Sequence, residues 1–310
     1  MAQDDTRRAQ DDQRRVRSDS RTMPRLQPDN FAASPPPIIT LLTDFGASDI
    51  FVGSMKGVIL GINPLVQIVD LTHEIPTHHI RSAAYLLHSA ARYFSPGTIH
   101  VAVVDPGVGS ARRPLLVFTM EQYFIVPDNG LLSCVLACEM DAEIRELSNK
   151  QYFLGSIGST FHGRDVFAPA AAWLSRGEPI DSFGPLVNNI VRFEVPRAFE
   201  EDGRLVGEVQ HIDRFGNLIT NISREDLVSF AGAPQISTLH IHVKQAEVVG
   251  LQRCYADATP GTLSALVNSD SWLELFCNQA RAADLVRADI GERVEISTPA
   301  PHAASCTRRS

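Results

Sequence analysis

Residues Thr98–Pro114 read TIHVAVVDPGVGSARRP. A short, almost wholly apolar run ends on an acid, Asp105, followed by Pro106, Gly107 and Gly109 and then by Arg112 and Arg113. A run of this length and composition predicts a buried strand. A buried strand running into a glycine-rich turn is also the setting of a phosphate-binding loop, but two features oppose that reading. The dinucleotide fingerprint needs a third glycine where Arg112 stands, and it needs a helix afterwards. Here Leu115–Phe118 and Tyr123–Val126 continue as further strands. What remains is a carboxylate at a strand end, where open α/β sheets place ligand sites, and an arginine that the Pro–Gly turn carries back over it. Such a pair either orients water and holds a developing anion or only staples the turn. The stretch by itself leaves both open.

Working outward, the same texture recurs on both sides. Ile38–Gly46 (IITLLTDFG) predicts another buried strand ending in an acid, Asp44, and Gln67–Leu71 a third. Asp49–Leu60, Ile80–Tyr93, Leu131–Met140 and Asp165–Arg176 have helical spacing. Buried strands alternating with helices predict an N-terminal α/β domain over 38–196 with a mainly parallel sheet. Residues 197–204 (RAFEEDGR) read as a polar linker. Beyond it, Leu205–Asp213, Thr238–Val243, Thr262–Val267, Leu273–Phe276 and Arg293–Ser297 predict short strands between turns, hence a smaller β-barrel-like domain over 205–297. Residues 1–37 are rich in Arg and Asp and end in three prolines; with 298–310 they read as disordered tails, because they cannot bury enough apolar surface to offset chain entropy.

Composition excludes several classes. The chain has 310 residues, 44% apolar and 21% charged, with a formal charge of −8 and no basic stripe outside the N-terminal tail. That argues against a nucleic-acid partner. No apolar run reaches the roughly 18 residues of a membrane span, and the first 30 residues lack the apolar core of a signal peptide. Five scattered cysteines do not make a disulfide framework, so a reducing, cytoplasmic location is expected. Cys134 and Cys138 alone are too few ligands for zinc.

Four further stretches carry chemistry. In Thr43-Asp44-Phe45-Gly46 the carboxylate of Asp44 suits the two hydroxyls of a ribose, or caps the next helix; no kinase loops accompany the motif. In STFHGRD (159–165), His162 lies in a polar turn with two other ionisable groups, either structural or part of a site. DLTHEIPTHH (70–79) gathers Asp70, His73, Glu74, His78 and His79, yet Pro76 breaks helical spacing and no H-E-x-x-H pattern is present, so no metal is expected. In HIDRFGNLITNI (211–222), Asp213 ends a strand and Asn217 offers both donor and acceptor, for an adenine edge, an amino-acid head group or an ordinary Asx turn. NSDSWLEL (268–275) places a polar turn, with Ser269, between two apolar runs.

Taken together, ITLLTDFG, FVGSMKGVIL, IVDLTHEIP, VAVVDPGVGS, VPDNGLLS, STFHGRDVFAPAAAWL, HIDRFGNLITNI and NSDSWLELF, in this order from about Ile38 to Ser297, resemble the S-adenosyl-L-methionine (SAM) hydroxide adenosyltransferases. These are adenosine-forming SAM hydrolases, related to fluorinases and chlorinases. The resemblance implies a homotrimer with sites between the N-terminal domain of one subunit and the C-terminal domain of the next. It implies that SAM is the substrate and that no cofactor is needed: water or hydroxide attacks ribose C5′, methionine leaves and adenosine forms. The family's Asp, Arg and His fall on Asp105, Arg112 and His162. Asp44 would hold the ribose, Asp213 the methionine ammonium, Asn217 the adenine and Ser269 the methionine carboxylate. Phe51 stands where a tyrosine is common in relatives.

The resemblance also frames the alternatives. Halogenases of this type replace the Asp105 turn with an uncharged one, extend the following loop and carry a Tyr-Ser pair at the position of His162-Gly163. This chain keeps all three polar groups and runs from Arg113 to Tyr123 without insertion, which favours water over halide as nucleophile. A non-catalytic adenosine-nucleoside binding protein and a metal-dependent hydrolase built on DLTHEIPTHH are the other readings.

Overall fold

A computed structural model of the chain describes residues 35–137 and 141–299. The tails expected over 1–37 and 298–310 fall almost wholly outside these residues, as do Cys138, Cys306 and the end of the helix expected over Leu131–Met140. Pro37 already takes part in the fold, since its carbonyl accepts the Gln67 amide at 2.8 Å.

The first half contains β1 (Ile38–Thr43), α1 (Phe51–Ile62), β2 (Gln67–Thr72), α2 (Ile80–Ala91), β3 (Ile99–Val103), β4 (Pro114–Thr119), β5 (Gln122–Pro127), α3 (Ser133–Ala137), β6 (Glu143–Glu146) and, after a π-helical turn at Gly163–Phe167, α4 (Ala168–Ser175). The strands form one six-stranded sheet in the order β2-β1-β3-β5-β4-β6. The pairs β1–β2, β1–β3 and β3–β5 are parallel, while β4 pairs antiparallel with β5 and β6. The sheet is thus mainly parallel with an antiparallel edge. The hairpin arises because only Met120 and Glu121, both with positive φ, separate β4 from β5.

Strands β1 and β3 are apolar at nearly every position because helices cover both faces of the sheet. Ile39, Leu41, Val101 and Val103 point to one face, where α1 supplies Met55 and Ile59 and α4 supplies Ala170 and Ala171. Leu42, Ala102 and Val104 point to the other, where α2 supplies Ala83 and Leu87 and α3 supplies Val135. β2, also apolar in sequence, is an edge strand and is half-exposed. The helix expected over Asp49–Leu60 begins two residues later, at Phe51.

The second half contains β7 (Phe199–Glu201), β8 (Arg204–Ile212), β9 (Leu218–Ser223), α5 (Arg224–Ala231), β10 (His240–Val243), β11 (Ala246–Val249), β12 (Leu263–Val267), β13 (Trp272–Cys277), α6 (Ala282–Val286) and β14 (Arg293–Ser297). They build an antiparallel, eight-stranded sheet in the order β11-β10-β14-β8-β9-β13-β12, with β7 added beside β8. Its two end strands, β11 and β12, approach each other, so the sheet curls towards a barrel around Val209, Leu218, Ile241, Leu275 and Ile296. Residues 199–201, within the segment read as a linker, form β7. Helix α5 starts at a capping box: Ser223 Oγ accepts the Asp226 amide and Asp226 Oδ2 accepts the Ser223 amide. The two halves touch where α2 meets β8, with the Tyr85 and His211 rings stacked at 5.2 Å. Among the described residues no helix is long and apolar enough to cross a membrane.

His100, on β3, is fully buried between the Phe94 and Phe124 rings. The Gln122 amide nitrogen donates to the Ala91 and Phe94 carbonyls, so its oxygen faces His100 Nε2, while Thr40 Oγ1 lies 2.7 Å from Nδ1. This satisfies the neutral ring, and burial lowers its pKa to about 4. The folded-state pKa lies below the unfolded value of about 6.5, so the native state resists a proton that the unfolded chain takes up. Stability is unaffected above that pH and falls as pH drops towards 4, by about 3 kcal/mol in all. Urea unfolding across pH 4–7 is expected to show this slope, and His100→Asn to flatten it whatever it does to stability at pH 7.

Candidate active site

Asp44 and Asp105 follow β1 and β3, at the carboxyl ends of adjacent parallel strands. After Asp105 the chain closes a compact loop: the Val108 amide donates to Asp105 O, and the Ser110 amide and hydroxyl both donate to Gly107 O. Gly109 has φ +77°, and a Cβ there would lie 2.4 Å from the carbonyl oxygen of Ser159. Only glycine lets this loop touch the backbone of the loop that carries His162.

That contact brings three polar side chains together. Arg112 Nε donates to Asp105 Oδ1 at 2.9 Å and Arg112 Nη2 donates to Asp105 Oδ2, a bidentate pair whose side chains are only 8% and 5% exposed. Arg112 Nη2 also lies 2.9 Å from His162 Nδ1. The guanidinium packs 5.2 Å from the centre of the Phe167 ring. Arg112 Nη1 is buried and has no partner among the described residues. A buried donor left so costs free energy unless an acceptor meets it. The neighbouring Arg113 turns away, to Asp128 and Asn189, where it ties β4 to the segment before the second half.

His162 sits at the head of the π-helical turn. Burial lowers its pKa, and the Arg112 charge lowers it further, against smaller opposing effects of Asp105 and Asp165. Guanidinium only donates, so Nδ1 is the acceptor and the ring proton of the neutral form is on Nε2. Behind it, Asp165 is fully buried and accepts from Arg164 Nε at 2.6 Å and from the Gly158 amide at 2.7 Å. Burial pushes the Asp165 pKa up, but Arg164 and the Gly158 amide outweigh it and hold the carboxyl below its usual value.

Asp105 and His162 line a cavity of about 140 Å³, walled by Phe45, Phe51 and Phe161. These three rings meet edge-on or tilted at 5.3–5.8 Å. Phe51 thus adds apolar surface to the cavity wall.

Asp44 does not cap α1, whose N-cap is Ile50 with no side-chain bond. Its Oδ2 accepts the amide of His78, a residue with φ +63°. Asp70, His73 and His79 of DLTHEIPTHH are engaged through their side chains. Asp70 Oδ2 accepts from Lys56 Nζ at 2.6 Å, His73 Nε2 approaches Asp70 Oδ1 at 3.0 Å, His73 Nδ1 meets Thr43 Oγ1, and His79 Nδ1 caps α2 by accepting the Ser82 amide. Among the described residues no three His, Cys, Asp or Glu side chains converge as a metal site.

In the second half, Asp213 and Asn217 do form an Asx-type turn: Asp213 Oδ1 accepts the Asn217 amide at 2.9 Å and Oδ2 its side-chain NH2 at 3.1 Å. Both residues also line a cavity of about 600 Å³ with Phe215, Tyr255, Phe276 and Arg281. The turn and site readings are thus compatible. Ser269 lies exposed in the Asn268–Ser271 turn and does not line this cavity. The structure joins Asp105, Arg112 and His162 in one cluster, and Asp213 and Asn217 in another. The two cavities share no residue. Tyr255 and the buried Glu274 behind it were missed by sequence reasoning; a lone acid amid the apolar run WLELF was the available signal for the latter.

Residues 39–184 match the family description "SAM hydroxide adenosyltransferase N-terminal domain", and residues 207–295 its C-terminal domain. A protein of Salinispora tropica named (R)-S-adenosyl-L-methionine hydrolase is 34% identical over 267 residues, covering 85% of this chain and 99% of its own. A protein of the same name from Methanocaldococcus jannaschii is 35% identical, covering 84% and 95%. A fluorinase of Actinopolyspora mzabensis is 29% identical, covering 80% and 92%. The crystal structure of an uncharacterized conserved protein from Thermotoga maritima superposes with a TM-score of 0.79 at 33% identity, covering 84% of this chain and 99% of the other.

The meeting of the two loops at Gly109 is testable. Gly109→Ala places a methyl against the Ser159 carbonyl in a strained conformation, and is expected to destabilise the fold by about 2 kcal/mol. Thermal unfolding measures that loss. The same variant is expected to perturb Asp105 and His162 together, read as coupled shifts of the His162 ring and the Asp105 carboxyl in NMR.

Proposed function

The chain belongs to the SAM hydroxide adenosyltransferase family and is an enzyme of the S-adenosyl-L-methionine hydrolase kind; we propose that it forms adenosine and L-methionine by in-line attack of a water held by Asp105, Arg112 and His162 on ribose C5′. The observation that carries this reading is the position of Arg112, one buried guanidinium bonded to both Asp105 and His162 beside a cavity the last two line.

The chemistry follows from the charges. The sulfonium leaves easily, since cleavage of the C5′–S bond returns the electron pair to sulfur and gives a neutral thioether. Water is the poor partner, with a pKa near 15.7. Holding it behind C5′ supplies proximity, and fixed donors beside it favour hydroxide character. Arg112 Nη1, buried and unpartnered among the described residues, is assigned as one donor to that oxygen. His162 has its Nδ1 engaged by Arg112, which leaves Nε2–H as a second donor. The proton lost by the water therefore goes to Asp105, whose oxygens each keep a lone pair beyond the bond to Arg112. A halide would instead need small neutral donors in place of this charged group.

The substrate is proposed to lie between subunits of a cytoplasmic homotrimer. In support, the cavity beside Asp105 is about 140 Å³, well under the roughly 300 Å³ usual for a ligand site. The larger cavity, with Asp213 and Asn217, lies wholly on the second half. Asp44 is assigned to the ribose hydroxyls, Asp213 to the methionine ammonium, Asn217 to the adenine and Ser269 to the methionine carboxylate; its exposure fits a contact completed by a second copy.

Incubation with SAM is expected to yield adenosine and methionine in equal amounts, and added chloride or fluoride to yield no 5′-halogenated nucleoside. Binding of adenosine without turnover of SAM would favour the non-catalytic reading. Asp105→Ala and His162→Ala are each expected to lower kcat by about 10²–10⁴-fold without unfolding the protein; near-wild-type turnover in both removes the mechanism.

The lowered pKa of His162 sets the pH profile. Its neutral form persists below its ordinary value of about 6.5, and protonation would take Nδ1 away from Arg112. The acid limb of kcat/KM is therefore expected below pH 6.5. A limb centred above that pH would contradict the neutral-ring assignment.

A further inference from the structure

The second half holds a buried carboxylate with no cation. Glu274 on β13 is 3% exposed. Its Oε1 accepts from the Tyr255 hydroxyl at 2.8 Å and its Oε2 from the Asn268 side-chain NH2 at 3.1 Å. No lysine or arginine pairs with it among the described residues; Asp213 and Asp270 are its charged neighbours, and burial raises its pKa above the ordinary carboxyl value. A carboxylate in that setting is costly to the fold, so its bonding partners indicate what it is for.

One partner lines the C-terminal cavity and the other opens the turn of Ser269. Tyr255 lines the 600 Å³ cavity that also holds Asp213 and Asn217, and its ring stands perpendicular to Phe276 at 4.9 Å. It is otherwise an exposed side chain on a short 3₁₀ turn, so the bond to Glu274 fixes the ring in the wall. Asn268 opens the turn that carries Ser269. Its Oδ1 accepts the amides of Asp270 and Trp272, at 3.0 and 3.1 Å, which forces its NH2 towards Glu274. The far side of the same turn is held by Arg92 and Tyr93, both bonded to Asp270.

We infer that Glu274 is a positioning residue for substrate binding: by accepting from Tyr255 and Asn268 at once, it locks the wall of the C-terminal cavity and the Ser269 turn into one arrangement. This rests on the proposed function in taking that cavity as the part of the site that holds the adenine and the methionine ammonium. Glu274 itself does not line the cavity. Its effect therefore falls on binding, not on the attack step, which belongs to the Asp105 cluster on the other sheet.

The full-length chain is to be compared with Glu274→Ala, Glu274→Gln, Tyr255→Phe and the Tyr255→Phe/Glu274→Ala double variant, by SAM kinetics and by calorimetry with adenosine. Glu274→Ala is expected to raise KM for SAM, and the adenosine Kd, about tenfold, the worth of one well-placed hydrogen bond, with kcat within about threefold. Glutamine can accept from Asn268 and donate to the Tyr255 oxygen, so Glu274→Gln is expected to restore most of the binding. In the Tyr255→Phe background, Glu274→Ala is expected to cost less than it does alone. Unchanged KM and Kd in Glu274→Ala, a loss confined to kcat, or a glutamine variant as weak as the alanine variant overturns the positioning role. Should the wild type bind adenosine but not hydrolyse SAM, a weakened adenosine Kd in Glu274→Ala still supports the role while the proposed hydrolysis falls. Failure of the wild type to bind either molecule overturns both.

Discussion

The bond between Arg112 and Asp105 is the constraint on which the rest of the first half depends. A guanidinium and a carboxylate with side chains 8% and 5% exposed form a pair that must be well made, because either charge alone would be too costly to bury. The bidentate geometry meets that demand and leaves three of the five N–H groups over. The second on Nη2 is taken by His162, and the two on Nη1 have no partner among the described residues. The loop conformations follow from it: Pro106 to Ser110 turn the chain back so that Arg112 reaches Asp105, and the loop before α4 closes until His162 reaches Arg112. Asp165, bonded to Arg164 and to the Gly158 amide, holds that second loop from behind.

Buried charge is handled differently in the two halves. Asp105 and Asp165 each meet an arginine. Among the described residues Glu274 meets only the neutral donors of a tyrosine and an asparagine, so no cation there pairs with its carboxylate to cancel its field. Asp213, tied to Asn217 on the cavity wall, adds to it. The same cavity is also lined by the cation of Arg281, which donates to Asp284 and to the Arg214 carbonyl, so side chains of both signs meet there.

Much of this was legible in the sequence, for definite reasons. β1 and β3 are buried and largely apolar, broken only by polar residues such as Thr40 and His100 that pair inside, because both faces of a parallel sheet are covered, and an acid follows each at its carboxyl end. The distance from Asp105 to Arg112 spans only a turn, so their pairing could be foreseen as one of two options. The partnership with His162, fifty residues on, depends on a backbone contact at Gly109 that no local pattern encodes. The antiparallel β4–β5 hairpin was hidden because Met120 and Glu121 are not turn-type residues, though both take positive φ. β6, β7, β9, β11 and α5 were not anticipated either: the first four are short or lie inside polar motifs, and α5 declares itself only through its Ser223–Asp226 capping box. Asp44 could be a cap or a ligand from its position alone; the fold rejects the cap, since its carboxylate turns to His78 on the neighbouring loop.

The backbone contact between Gly109 and Ser159 makes two distant loops a single mutational unit. Gly109 cannot gain a side chain without moving the Ser159 loop, and the Ser159 carbonyl cannot approach further without moving the Gly109 loop. A substitution at either side of the contact is therefore felt in the loop of the other, although a long stretch of chain separates them.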